Sequence, residues 1–197
     1  MDYQAAKAFI IDKMQRELSQ RLTYHGLHHT LDVLEVTSEL CALENIPPTD
    51  TLLLETAALF HDCGFTVNNK NHEELGCDIA HAHLPRFGFS PTDINRICGM
   101  IMATKIPQRP QDRFEEILCD ADLDYLGRPD FYTIGATLFE ELKAFNVLHT
   151  EEAWNRLQVN FLENHQFFTA TNRKRRAPVK ARHLGELKIL VATYSPR

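Results

Sequence analysis

The sequence predicts an all-α fold, a bundle of about 8–10 helices, and three observations lead to this class. Apolar residues recur at spacings of three and four along most of the chain, which is the period of an amphipathic helix. Glycine and proline are scarce, with 8 and 9 residues in a chain of 197. No long segment alternates apolar and polar residues, so we expect no β-sheet.

Five helices are predicted in the first half of the chain, and proline or glycine marks their ends. They span residues 2–20, 29–45, 50–62 and 72–86, and a fifth begins at Ser90-Pro91. Pro47-Pro48 ends the second, because proline cannot continue the hydrogen-bond ladder. The third is apolar on most faces, which is typical of a buried central helix, and Gly64 follows its end.

Further helices are predicted in the second half, after a loop that contains two prolines. They span residues 112–126, 130–146 and 150–170, and residues 183–194 fit a last helix or a strand. Six cations lie between Arg173 and Arg182. Such a run predicts a solvated loop, with a phosphate-facing lid or a weak nucleic-acid contact as the alternatives.

Composition excludes several classes of protein. The net charge of −6 argues against a general nucleic-acid coat or a membrane-surface binder. No stretch approaches the roughly 18 apolar residues of a membrane span, and the first residues, Met1-Asp2-Tyr3, do not resemble a secretory signal. Five cysteines without a C-x-x-C pair are typical of reduced thiols, so we expect a cytoplasmic protein.

Histidines and acids concentrate in four short motifs. Seven of the ten histidines lie between His25 and His83. The motifs are His25 with His29, the adjacent pair His61-Asp62, the run Asn71-His72-Glu73-Glu74, and the acids Asp120, Asp122 and Asp124. An imidazole and a carboxylate at a buried helix end are costly to desolvate, and a divalent cation is a suitable partner. Such a mixed nitrogen and oxygen set suits Fe, Mn, Zn or Co rather than calcium.

Helix geometry limits how many of the three acids reach one site. On a continuous helix Asp120 and Asp124 share a face, whereas Asp122 points elsewhere. We therefore expect one or two of them at a common buried site.

These motifs together resemble the HD-domain metal-dependent phosphohydrolases, whose pattern is one histidine, an adjacent His-Asp and a distant Asp. The matching segments are Tyr24-His25-Gly26-Leu27-His28-His29-Thr30, Ala57-Ala58-Leu59-Phe60-His61-Asp62-Cys63-Gly64 and Asp120-Ala121-Asp122-Leu123-Asp124-Tyr125-Leu126-Gly127. The resemblance implies a single HD-type helical domain over residues 1–197. Its core motif region is 21–128, and 129–197 is a helical extension.

The resemblance also implies a set of metal ligands. By position these are His29, His61, Asp62 and Asp122, with Asp120 as the alternative for the last place. His72 matches the first of the additional histidines in family members with two metals. Thr104 lies where the second would stand, which favours one divalent ion per chain, whether Mn, Fe, Co, Zn or Mg.

The implied activity is hydrolysis of a nucleotide or another small phosphate ester, as a phosphomonoesterase or phosphodiesterase, by water that the metal activates. Glu73 or His72 is the candidate to orient the water or take its proton, and His25 to protonate the leaving oxygen. Lys105, with Arg109 or Arg128, is a candidate for holding the phosphate. The competing interpretation is a catalytically weak regulatory module that binds a nucleotide or a metal.

Overall fold

The computed structural model describes residues 1–194, and in this range the chain forms ten α-helices and no strand. The helices are α1 (Tyr3–Glu17), α2 (Leu27–Leu43), α3 (Pro48–Phe60), α4 (His72–His83), α5 (Pro91–Ala103), α6 (Arg113–Asp122), α7 (Phe131–Ala144), α8 (Glu151–Asn164), α9 (Ala170–Arg175) and α10 (Ala177–Ala192). The predicted all-α class is confirmed. None of the helices in this range is long and apolar enough to cross a membrane.

Several helix ends differ from the prediction. α2 ends at Leu43, before Pro47-Pro48, and α4 ends at His83 rather than at residue 86. The helix predicted over 112–126 ends at Asp122, and a separate 3-10 turn follows at Asp124–Gly127. The helix predicted over 150–170 ends at Asn164, because His165 adopts an extended backbone. Residues 183–194 fall largely within α10, so the strand alternative is wrong.

Two compact units make up the chain. The first comprises Met1–Gln20 and His25–Asp122, and the second comprises Arg21–Tyr24 with the described residues from Leu123 onward. The core of the first unit is built around α3, where Leu53, Leu54 and every residue from Thr56 to Phe60 are buried. This agrees with the predicted central helix. The extent of a single domain over 1–197 stays a prediction.

The second unit explains why the basic segment is helical rather than a solvated loop. Its buried Asp124 accepts hydrogen bonds from Asn172 Nδ2 at 3.0 Å and from Arg176 Nε at 2.8 Å. Arg173 Nε donates to the carbonyl of Phe167 at 3.1 Å, and Lys180 donates to the carbonyl of Leu162 at 3.0 Å. These acceptors bind three of the six cations of the basic segment. The segment forms α9 and α10, so the prediction of a solvated loop is wrong.

Gly64 lies in the turn between α3 and α4, at a point where the backbone leaves no room for a side chain. A Cβ atom there would lie 1.9 Å from the carbonyl oxygen of His72 and 2.9 Å from the amide nitrogen of Gly76. Because both atoms belong to the backbone of α4, they cannot move aside as a flexible side chain would. The close approach requires glycine at this position.

We expect Gly64→Ala to lower the free energy of unfolding by about 3 kcal/mol or more, at the upper end of overpacking costs. The control is Gly185→Ala in α10, where no other described atom beyond the helix's own adjacent backbone lies within 4 Å of the added Cβ. That change should be neutral or slightly stabilising, because alanine favours a helix over glycine by roughly 0.5–1 kcal/mol. Urea unfolding followed by circular dichroism measures both. Equal stability of the two variants would contradict the close approach at Gly64.

Candidate metal centre

Four side chains from three helices converge at one buried point in the first unit. His29 lies in the first turn of α2, His61 and Asp62 follow the end of α3, and Asp122 is the last residue of α6. Asp122 Oδ1 lies 3.2 Å from His29 Nε2 and 3.6 Å from His61 Nε2. Asp62 Oδ2 lies 3.5 Å and 3.3 Å from the same two nitrogens. The sequence-predicted ligand set therefore comes together.

The orientation of His61 is fixed by a backbone acceptor one turn earlier. Its Nδ1 donates to the carbonyl of Ala58 at 2.7 Å, so Nε2 points to the cluster. Both His61 Nε2 and Asp62 Oδ2 are buried and make no hydrogen bond among the described residues. Buried polar atoms without a hydrogen bond are costly, and a cation between them would satisfy both.

The carboxylates of Asp62 and Asp122 and the imidazole of His61 shift one another's pKa values, and these shifts favour the charged form of each group. Burial lowers the pKa of His61, but the carboxylates of Asp62 and Asp122 outweigh this and raise it well above the ordinary imidazole value. Burial raises the pKa of Asp62, but the neighbouring imidazoles, His61 first among them, lower it well below its usual range. Burial raises the pKa of Asp122, but the hydrogen bond with His29 and the nearby imidazole of His61 lower it to about 2. The acids are therefore held ionised.

Asp122, rather than Asp120, is the acid of α6 that lies with the histidines. Among the described residues, His29, His61 and Asp122 form a group whose ligand atoms all lie within 4.8 Å of one another. The group includes neither Asp120 nor Asp62, but Asp62 Oδ2 lies within 3.5 Å of both histidine nitrogens. Gln108 lies behind Asp122 and donates from Nε2 to Asp122 Oδ2 at 3.4 Å and to the carbonyl of Cys119 at 3.2 Å. No sequence motif predicts a role for Gln108, which lies in a loop between Pro107 and Pro110.

His72 and Glu73, at the start of α4, extend the polar cluster on the side of Asp62. His72 Nε2 lies 3.6 Å from Asp62 Oδ1 and 3.4 Å from Glu73 Oε1. Glu73 is buried, whereas His72 is partly exposed. Asp62 thus has one carboxylate oxygen near His29 and His61 and the other near His72.

Two of the histidines, His25 and His72, stack on the ring of Phe65, a residue that was not predicted from the sequence. The ring of Phe65 stacks on His25 at 4.4 Å between centroids and on His72 at 4.1 Å. Phe65 is 8 % exposed and lies in the 3-10 turn that follows His61-Asp62. The feature of the sequence that could have indicated Phe65 is an aromatic residue placed just before a polar loop. The stack restricts the rotation of both imidazoles.

The candidate phosphate-binding cations are paired with acids or exposed. The ammonium of Lys105 forms an ion pair with Glu74 of α4, and both side chains are more than two-fifths exposed. Arg109 is exposed in the loop before α6. Arg128 belongs to the second unit, where it forms two hydrogen bonds with the carboxylate of Asp130 at 3.0 and 2.9 Å. The phosphate-binding role of these residues stays a prediction.

The fold and the site define an all-α protein with a buried His/Asp cluster suited to a divalent cation. Two imidazole nitrogens and two carboxylate oxygens are the donor set that borderline metals such as Zn, Fe, Mn and Co bind. The family model of the HD domain matches residues 26–124, half of the chain. The chain belongs to the HD domain family, whose members bind divalent metals.

Comparison with solved structures gives the same fold. The chain is similar to a protein described as a predicted HD superfamily hydrolase from an uncultured Thermotogales bacterium, with 21 % sequence identity and a TM-score of 0.62. The match covers 95 % of this chain and 92 % of that one. The comparison with curated proteins finds no match.

Proposed function

We propose that this protein is a metal-dependent phosphohydrolase that acts on a nucleotide or another small phosphate ester. The observation that carries the proposal is the convergence of two imidazoles and two carboxylates around buried atoms without hydrogen bonds. Family membership supports metal-dependent hydrolysis as the class of activity. The same proposal includes a cytoplasmic location, which five cysteines without a C-x-x-C motif favour.

His29, His61, Asp62 and Asp122 would hold the cation. A bound divalent ion lowers the pKa of water and withdraws charge from a phosphoryl oxygen. The Nδ1 bond of His61 and the contact of Gln108 with Asp122 fix the direction in which two of these ligands present their donor atoms. Because three of the ligands are buried and Asp122 is only partly exposed, access of bulk water is restricted and the charges are weakly screened.

Proton transfers belong to residues around Asp62 in this proposal. Glu73, or His72 beside it, orients the attacking water and takes its proton. Because Glu73 Oε1 lies 3.4 Å from His72 Nε2, the two side chains can share that proton. His25 gives a proton to the leaving oxygen, and its stacking on Phe65 holds the ring in place. Lys105 binds the phosphate after exchanging Glu74 for it.

One divalent ion per chain is the proposed stoichiometry. His72 lies near Asp62, as the first extra ligand of a two-metal site would. The residue at the second extra position, Thr104, is buried and donates its hydroxyl to the carbonyl of Ile101 at 2.8 Å. Its hydroxyl is therefore used to end α5, which supports a single ion.

Metal analysis followed by a phosphate-release screen tests the proposal. We expect about one equivalent of a divalent metal per purified chain, and either release of phosphate from a phosphomonoester or conversion of a phosphodiester to a monoester. Chelation should remove the metal and the activity together, and the same metal should restore both. Bound metal without turnover of any mono- or diester would overturn the enzymatic proposal in favour of a regulatory module. Absence of bound metal after incubation with Mn, Fe, Co, Zn and Mg would contradict the metal centre itself.

A further inference from the structure

Cys77 of α4 and Cys98 of α5 form a close thiol pair that the proposed hydrolysis does not use. Cys77 Sγ lies 3.6 Å from the carbonyl oxygen of Cys98, and Cys98 Sγ lies 3.9 Å from the carbonyl oxygen of Cys77. Because each sulfur contacts the backbone of the other cysteine, the two side chains lie next to each other where α4 packs on α5. A disulfide requires two cysteines at such close approach.

Accessibility separates this pair from the other three cysteines. Cys77 and Cys98 are partly exposed, whereas Cys41, Cys63 and Cys119 are buried. Burial raises the pKa of Cys41 to about 11 and also raises the pKa of Cys63 and Cys119. Because the thiolate is the reactive form, the three buried thiols are protected from oxidants.

We propose that Cys77 and Cys98 are an oxidation site for peroxides, at which a disulfide joins α4 to α5. The thiolate of one cysteine attacks the peroxide, the O–O bond breaks, and a sulfenic acid forms with release of water or an alcohol. The sulfur of the other cysteine then attacks that sulfur, the S–O bond breaks, and water leaves as the disulfide forms. The two thiols lose two electrons and two protons in total, and one peroxide is reduced.

The crosslink fixes the helix that begins with two residues of the polar cluster. Cys77 lies one turn after Glu73 on α4, and the preceding Gly76 packs against the carbonyl of Phe60 at the end of α3. A disulfide to α5 therefore holds α4 in its position beside the end of α3. It also removes freedom from the unfolded chain, which is the usual source of stabilisation by a disulfide.

Peptide mapping of the full-length protein tests the proposal. The folded protein is treated with hydrogen peroxide, alkylated under denaturing conditions and digested with trypsin without reduction. Cys77 and Cys98 fall in different tryptic peptides, residues 71–86 and 97–105, neither of which contains another cysteine. We expect these two peptides to appear linked, and Cys41, Cys63 and Cys119 to be alkylated. The oxidised protein should melt roughly 5–10 °C higher than the reduced protein.

Serine variants test whether both thiols are needed. In Cys77→Ser and in Cys98→Ser no linked peptides should form, and dimedone should trap the remaining thiol as a sulfenic acid in at least one of the two. Circular dichroism of both variants checks that the helices are retained. Linked peptides that form only in denaturant, or an oxidised protein that melts lower, would overturn the proposal.

Discussion

Asp122→Asn should reduce phosphate-ester hydrolysis by more than about 100-fold, whereas Asp120→Asn should leave at least about one-hundredth of the activity. The difference follows from position, because Asp122 Oδ1 lies 3.2 Å from His29 Nε2 and 3.6 Å from His61 Nε2, and Asp120 lies outside this cluster. Asparagine keeps the volume of each side chain and removes its charge. Initial rates with the substrate that responds best in the screen measure the effect.

The two variants are matched controls for one another, because both acids lie in α6 two residues apart. Metal content should fall in Asp122→Asn and be largely retained in Asp120→Asn. If the two variants lose activity equally, α6 does not present one acid to the metal in the way described. A greater loss in Asp120→Asn would assign the ligand to that residue and leave the other three ligands unchanged.

Asp62→Ala should lower the metal content of the purified protein by about tenfold or more and abolish hydrolysis with it. Asp62 contributes a full negative charge, and its Oδ2 atom lies within 3.5 Å of both histidine nitrogens. The helices should remain, because α3 ends before Asp62 and its buried apolar residues are unchanged. Elemental analysis and far-ultraviolet circular dichroism on the same sample measure the two effects.

Asp78→Ala provides the control, because Asp78 is an exposed acid on α4 in the same unit. It should keep both metal and activity, which separates loss of a ligand from loss of one surface charge. Unchanged metal content in Asp62→Ala would show that this carboxylate is not a ligand. Loss of helical content in Asp62→Ala alone would show that Asp62 acts through folding.

The helical class and the candidate ligands followed from the sequence because both depend on local patterns. Apolar spacing of three and four residues predicts helices wherever it occurs. Pro48 and Pro91 are the first residues of α3 and α5, and Gly64 follows the end of α3, positions that suit the backbone of each residue type. The adjacent His61 and Asp62 at the end of the most apolar helix indicated a buried polar site before any contact was known.

The resemblance to the HD family favoured Asp122 over Asp120, and the tertiary structure supplied the physical reason. On a continuous helix Asp120 and Asp124 share a face, and this geometry alone did not favour Asp122. The structure ends α6 at Asp122 and places Asp124 in a separate 3-10 turn, where it binds Asn172 and Arg176. Two neighbouring acids thus serve different units, a division that depends on where the helix stops.

By itself the sequence determined the all-α class, the buried third helix and the residue types of the site, because these are set by periodicity and composition. Only the tertiary structure decided the stacking of Phe65 between two histidines, the inward bonds of the basic segment and the pairing of Cys77 with Cys98. These contacts join residues that are not neighbours on one helix. Their distances depend on how separate elements pack, which no local pattern encodes.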